Sequence, residues 1–509
     1  MRGIQVKLAM IAVLALAAAG MAGAKPHPGN PTEMWVIAHD AGKPAEMMLA
    51  ETLQGLTAAN PDRKIWLKSG GGYQIVLDQL ACEGVKLHEA KSAWDLVSEF
   101  RSQIKGAIVY KLGTPSVNVA ASLCGPMQCV AVDESMLLTA KCSDLEIVAD
   151  VRGMDDKVCY KKYKQLFKHG TLINQSVSAA SHLRDFGVAR HSFIFGDVDE
   201  TFRIKVCSEL GPQAIAYGWG REEDWVGQVS KGNATAVAAD WNINLSVLET
   251  LPARKLKCPS NPPIKPEDNV NYVAFVMSDG DNVQFMCGGF CTDTKFWASP
   301  LRGKFPMSWE ISCMLAEVAP RILEYIYDTA TPNDGITAGP GLPGYTYVHY
   351  QPDRVATAKQ ASHYLKLSGM DVVGTINKNI GTMEEAIPLA DRPEVKGILY
   401  KDFNPYNRRK GEFIWHDGKP ILSYRFDLRP NIDTPESIAR DVAKMPAKPM
   451  ADEHSYALIN VLAWAKWDFG GPMESVQRTI ELLPANTRVV TANQLIELMR
   501  TNLGPKHSN

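Results

Sequence analysis

Short continuous apolar runs recur along this chain between longer segments whose apolar positions fall three and four residues apart. The first pattern predicts buried strands and the second predicts amphipathic helices. In the N-terminal half, "MWVIAH" (34–39) reads as a strand and "PAEMMLAETLQGLTAAN" (44–60) as a helix, and "KIWL", "GAIVY", "CVAV" and "EIVADV" supply further strands. Strands alternating with helices imply parallel sheets covered on both faces. Residues 31–251 are therefore expected to form an α/β sheet domain, or two small ones.

The alternation breaks at 252–268, PARKLKCPSNPPIKPED, where five prolines fall in seventeen residues. Such a segment neither carries a helix nor pairs inside a sheet, so it reads as a linker. Beyond it the rhythm returns with greater regularity. "YVAFVMS" (272–278), "FPMSWEI" (305–311), "GITAGP" (335–340), "DVVGTIN" (371–377), "GILYKDF" (397–403), "ILSYRFDL" (421–428), "YALINVLAW" (456–464) and "RVVTA" (488–492) read as strands, with helical patterns between most of them. Strand-helix units repeating at this spacing over 269–504 match a (β/α) barrel-like domain, with an open doubly wound sheet as the alternative.

In a barrel, reactive side chains gather at the C-terminal ends of the strands. The expected strand ends here carry Asp279 and Asp281 in "VAFVMSDGDNVQFM", Glu310 beside Trp309, Tyr345 and Tyr347, Asn377 and Lys378, Asp402, Asp427, and Trp464 with Trp467. Carboxylates and flat rings at one rim suit a carbohydrate, which offers apolar C–H faces and a ring of hydroxyls. Adjacent residues on a regular strand face opposite sides, so Glu310 and Trp309 cannot both point into the barrel.

Composition places few limits on this picture. The chain is 45% apolar and 22% charged, as folded proteins are, and its net charge of -2 gives no field for nucleic acid. Arg408, Arg409 and Lys410 read as a solvated loop, and Gly70 to Gly72 as a turn. The start of the chain carries Arg2 and Lys7, an apolar run from Leu8 to Ala19 and then Ala22-Gly23-Ala24. This is the pattern of a signal peptide over 1–24, cut before Lys25, and it predicts a secreted or periplasmic protein without a membrane span. In such a compartment the ten cysteines permit disulfides, and Cys124 with Cys129 and Cys287 with Cys291 are the close pairs.

Several chemistries lack their motif. No GxGxxG turn follows the first strand, no GxxxxGK[ST] is present, and no GxSxG elbow occurs. Metal-dependent carbohydrate deacetylases pair an Asp motif with two nearby histidines, and no such histidine pair is present.

The segments "NYVAFVMSDGDNVQ" (271–284), "SPLRGKFPMSWEIS" (299–312), "LAEVAPRILEYIYDTATPND" (315–334) and "AGPGLPGYTY" (338–347) resemble the GxGYxYP family of secreted bacterial proteins, described as glycoside hydrolases. The resemblance extends to "YGWGREEDWV" (217–226) and "AADWNINLS" (238–246). It implies an N-terminal α/β region, a C-terminal barrel-like domain and cleavage of a glycosidic bond. The naming signature departs from its pattern, with Leu342 at the first glycine and Val348 at the final proline, while Gly344, Tyr345 and Tyr347 are kept.

Glycoside hydrolysis uses one carboxyl group to protonate the leaving oxygen and another as nucleophile or base. Asp279 and Asp281 are the first candidates for that pair, followed by Glu310, Asp402 and Asp427. Asn282, Trp309, Gly344, Tyr345, Tyr347 and Trp464 are the candidate substrate contacts. The chemistry requires no cofactor. Two other readings of the DGDN segment stand beside it. Asp279, Asp281 and Asn282 also offer the oxygens that calcium or magnesium prefers, and Asp and Asn commonly cap a turn. A carbohydrate-binding protein without catalysis, or a metal-dependent carbohydrate hydrolase, would carry the same rim.

Overall fold

The computed structural model describes residues 29–507, apart from 197 and 212. The expected signal peptide at 1–24 lies outside the described residues. Three small parallel sheets make up the N-terminal half. The first is built from β1 (Glu33–Ala38), β2 (Arg63–Lys68) and β3 (Lys86–Glu89), in the order β2-β1-β3. The second holds β4 (Gly106–Tyr110), β5 (Cys129–Asp133) and β6 (Ile147–Asp150), in the order β5-β4-β6. In the third, β7 (Thr171–Asn174), β8 (Phe193–Phe195), β9 (Ile215–Gly218) and β10 (Thr235–Ala238) are arranged β10-β9-β7-β8. Residues 252–268 carry neither helix nor strand.

The C-terminal half closes into a barrel. Its strands are β11 (Asn271–Met277), β12 (Met307–Ile311), β13 (Asp334–Ala338), β14 (Val372–Lys378), β15 (Gly397–Phe403), β17 (Lys419–Leu428) and β18 (Tyr456–Val461). All seven pair in parallel in that order, and β11 pairs with both β12 and β18 to close the ring. The short β16 (Phe413–His416) forms an antiparallel hairpin with β17, and β19 (Thr487–Val489) pairs with the start of β11.

Period-two alternation explains how β11 is buried on both faces. Val273, Phe275 and Met277 join the core shared with the surrounding helices, whereas Tyr272, Ala274 and Val276 pack inside the barrel with Leu399, Leu422, Tyr424 and Leu458. The last helix, Ala492–Asn502, sends Leu495, Ile496, Leu498 and Met499 into that interior core. Among the described residues no helix is long and apolar enough to cross a membrane.

All ten cysteines are free, so neither close pair is bridged. Cys124 lies on the helix Ser116–Met127 and Cys129 opens β5, while Cys287 and Cys291 lie on one helical turn and its cap. These four thiols are buried and serve as small apolar packing groups, which pushes their acidity well toward the neutral form.

Two of the ties between the halves bear on the site and on stability. Arg321, on the barrel helix Pro320–Asp328, forms a buried two-pronged pair with Glu83 of the N-terminal half, at 3.0 and 2.9 Å. Burial alone would raise the Glu83 carboxyl, but hydrogen bonds from Arg321 and Asn30 outweigh it and hold the group below its ordinary value. The second tie joins the edge strand β10 to the barrel loop at Tyr345, where Tyr345 N donates to Ala236 O at 2.7 Å and Ala236 N to Tyr345 O at 3.3 Å. Removing Arg321 leaves the buried Glu83 carboxylate with only Asn30 and the half-exposed Arg254, which weakens its compensation. Arg321→Met is expected to destabilise the chain by about 3–5 kcal/mol, read from denaturant unfolding; an unchanged midpoint would show that the Glu83 pair does not hold the halves together.

Candidate active site

The C-terminal ends of the barrel strands and of the third sheet point toward each other, and a cavity of about 260 Å³ lies between them. Its barrel side is built from Ser278, Asp279, Asp281, Asn282 and Gln284 after β11, together with Pro340, Tyr345, Ile376, Lys401 and Tyr406. The third sheet contributes Trp219 and Glu223 after β9, and Ala238, Asp240 and Trp241 at and after the end of β10. The loops also meet directly, since Trp241 N donates to Gln284 Oε1 at 2.5 Å.

Backbone geometry accounts for the DGD spelling. A Cβ at Gly280 would stand 1.9 Å from the Glu310 carbonyl oxygen, so only glycine lets this turn lie against β12. Asp279 takes a left-handed conformation with φ 70°, which Asp tolerates better than most residues. Both its oxygens are engaged, Oδ2 by the Ser278 hydroxyl at 2.6 Å and Oδ1 by Trp464 Nε1 at 2.8 Å. Asp281 is only 8% exposed and lines the cavity. Burial, then the nearby Asp279 and Glu310, pushes its carboxyl well above the usual range. Asn282 Oδ1 accepts from Phe285 N at 3.0 Å and so caps the next helical turn.

Glu310 faces the barrel interior beneath the cavity. Its Oε1 lies 2.7 Å from Lys401 Nζ and accepts from Tyr424 OH at 3.3 Å. Burial raises its carboxyl, against the pull of Lys401. A polar chain continues from Lys401 to Asn460 (3.4 Å), from Asn460 to Asp427 (2.8 Å) and from Asp427 to Arg429 (2.9 Å). Lys401 also sits over the rings of Tyr424 and Tyr406, at 4.9 and 5.1 Å from their centroids.

Not every candidate from the sequence reaches the cavity wall. Asp279, Asp281, Asn282 and Tyr345 line it, and Trp464 touches it through Asp279. Glu310 and Asp427 lie in the polar chain below. Asp402 is paired with Arg409 at 3.2 Å, and burial raises its carboxyl. Trp309 faces away from the barrel interior, packing on Trp297 and Phe290 and donating to Asp334 Oδ1 at 2.9 Å. That settles which member of the Trp309–Glu310 pair points outward and removes Trp309 from the cavity. Tyr347 is buried against Tyr345, edge to face at 5.6 Å. A Cβ at Gly344 would come 2.5 Å from Ala236 O, so this glycine permits the pairing with β10 and makes no part of the cavity wall.

Residues 269–500 match the family description "GxGYxYP putative glycoside hydrolase C-terminal domain", 104–167 match "GxGYxYP_N second domain" and 169–249 match "GxGYxYP third domain". The chain belongs to the GxGYxYP family. The second and third N-terminal matches enclose the second and third sheets. Among solved structures, one described as "a putative hydrolase from Bacteroides thetaiotaomicron VPI-5482" is similar with TM-score 0.83 and 25% identity, over 94% of this chain and 96% of that one. No curated protein matches the chain. In this GxGYxYP protein the departures at Leu342 and Val348 leave the pairing with β10 intact, because the Tyr345 backbone and the close approach of Gly344 carry it.

Lys401, Tyr406, Trp219, Glu223, Asp240 and Trp241 were not among the candidate site residues, although the last four lie in the segments "YGWGREEDWV" and "AADWNINLS" that carry the family resemblance. Lys401 had a signal in "GILYKDF", where a cation sits at an inward position of a strand that is otherwise largely apolar. A carboxyl that keeps its proton to higher pH when folded than when unfolded favours the native state at low pH, and that advantage is lost as pH climbs toward the folded value. Asp281→Asn removes this loss. The variant should melt higher than the parent at pH 8 by about 2 °C or more, with the gap shrinking toward pH 5. A variant melting equal to or below the parent at pH 8 would contradict the assignment.

Proposed function

We propose that this protein is a glycosidase whose reaction takes place in the cavity between the barrel mouth and the third sheet. The observation that carries the reading is the unequal pair Asp279 and Asp281. Asp281 is buried, pushed toward its protonated form and open to the cavity, while both Asp279 oxygens already accept hydrogen bonds. One carboxyl that keeps a proton beside another held as an acceptor is the division of labour that glycosidic cleavage uses.

In this reading Asp281 gives its proton to the glycosidic oxygen as the carbon–oxygen bond breaks. Asp279 carries the complementary role, attacking the anomeric carbon or taking a proton from the water that does. Water is consumed, and two hydroxyl-bearing products leave. Lys401 has its charge met by Glu310, so the floor stays electrically balanced while the acid pair works. Trp219, Trp241, Tyr345 and Tyr406 supply flat surfaces for sugar C–H faces. The family's naming as glycoside hydrolases supports the substrate class. The leader pattern at 1–24 supports placing the activity outside the cytoplasm.

Purified protein and the variants Asp279→Asn and Asp281→Asn, screened on a glycan panel with product analysis, test the reading. Each substitution should lower kcat/KM by about 10²–10⁴-fold. For the parent, kcat should fall as pH rises through the raised value of Asp281. Unchanged turnover in both variants would defeat the acid-pair mechanism, and glycan binding without cleavage by the parent would make the protein a carbohydrate binder instead.

A further inference from the structure

The charges around the cavity do not balance. Four carboxyl groups line it, Glu223 and Asp240 from the third sheet and Asp279 and Asp281 from the barrel. The one basic residue in its wall, among the described residues, is Lys401. That ammonium is itself buried and lies 2.7 Å from Glu310, which does not reach the cavity. Its charge is thus answered from below. With the Asp281 carboxyl pushed toward its protonated form, Asp279, Glu223 and Asp240 are the further acids that face whatever occupies the space.

Burial outweighs the downward pull of Lys378 on the Glu223 carboxyl, and no cation acts on Asp240 among the described residues. Lys378 forms its ion pair with the neighbouring Asp224 at 3.2 Å, and neither Glu223 nor Asp240 takes part in an ion pair among the described residues. Burial raises both carboxyls, so each is held at a cost that an incoming cation would relieve. Asp281 adds an independent sign of a ligand, since this nine-tenths-buried carboxyl faces the cavity and no other residue's hydrogen bond to it is found among the described residues.

Size and spacing decide which cation fits. A calcium ion draws its oxygens to about 2.3–2.6 Å. Among the described residues, the one group of three acidic or histidine side chains with ligand atoms within 4.8 Å of one another is Asp391, His416 and Asp417, which do not line the cavity. The cavity acids are spread around a larger space. Trp219, Trp241, Tyr345 and Tyr406 line that space with them, and aromatic faces attract an ammonium group as well as sugar C–H bonds. A uronic acid would meet these carboxylates while the nearby Lys401 and Lys378 are already paired with Glu310 and Asp224.

We propose that the cavity selects a glycoside bearing a protonated amine, an amino sugar with its nitrogen free, over neutral and acidic sugars. This rests on the glycosidase reading for the location of the site, while its test is separate. Glu223 and Asp240 set the preference from the third sheet, and the barrel acids do the chemistry.

Calorimetric titration of the full-length protein at pH 6 and low salt, with a glucosamine trisaccharide, its N-acetylated form, a glucose trisaccharide and a galacturonic acid trisaccharide, tests it. The glucosamine trisaccharide should bind about tenfold more tightly than the glucose one, as one charge-assisted hydrogen bond would give. The preference should weaken in high salt. The double variant Glu223→Gln, Asp240→Asn should reduce it to about twofold. Equal or tighter binding of the glucose or galacturonic acid trisaccharide overturns the proposal, as does an absence of binding by all four. Cleavage of neutral glycosides without an amine preference would sink this inference and spare the glycosidase reading. Tight amine-selective binding without cleavage of any glycan would do the reverse.

Discussion

Pairing between the edge strand β10 and the barrel loop at Tyr345 brings two sets of strand ends into register, and the cavity exists because of it. An edge strand presents unpaired backbone groups that must be covered. Here Tyr345 covers Ala236 from the barrel side, and Tyr347 N donates to Ser230 Oγ at 3.1 Å just beyond. A side chain at Gly344 would collide with the Ala236 carbonyl. The GxGYxYP signature is therefore first a clamp between two halves. Its aromatic Tyr345 reaches the cavity as a consequence of where the clamp is placed.

The acids are held by a similar constraint at the opposite wall. Gly280 lets the chain turn hard against Glu310, which leaves Asp279 in a left-handed conformation and turns Asp281 into a buried position. Both features cost stability locally, and the surrounding core supplies it. Beneath them, the chain of contacts from Glu310 through Lys401 and Asn460 to Asp427 and Arg429 fills the barrel interior with paired charges. A floor of this kind holds its shape without adding net charge to the space above.

Much of the barrel was legible because its strands are long apolar runs with clear breaks. "GILYKDF" coincides with β15 residue for residue, and the expected strand at 272–278 is shifted by one residue from β11. The hairpin strand β16 was missed, since "FIWH" is half-exposed and pairs antiparallel outside the ring. In the third sheet, β10 is only "TAVA", too short and too small-sided to stand out. Without that strand, Asp240 and Trp241, though inside the quoted segment "AADWNINLS", could not be placed at a strand end. Parity on β12 predicted that Glu310 and Trp309 must part, yet which one faced inward depended on the Trp297 and Phe290 cluster outside the barrel. The close cysteine pairs looked like bridges from spacing alone, whereas the fold uses them as buried packing groups.

The central claim is that one sugar touches both walls at once. A crystal structure of the full-length protein with an iminosugar bound would measure this directly. The predicted result is a ring placed against Asp279 and Asp281 from the barrel while Trp219 or Trp241 of the third sheet packs on it. A ligand resting on the barrel alone, or in the groove between residues 258–266 and the last helix, would contradict it.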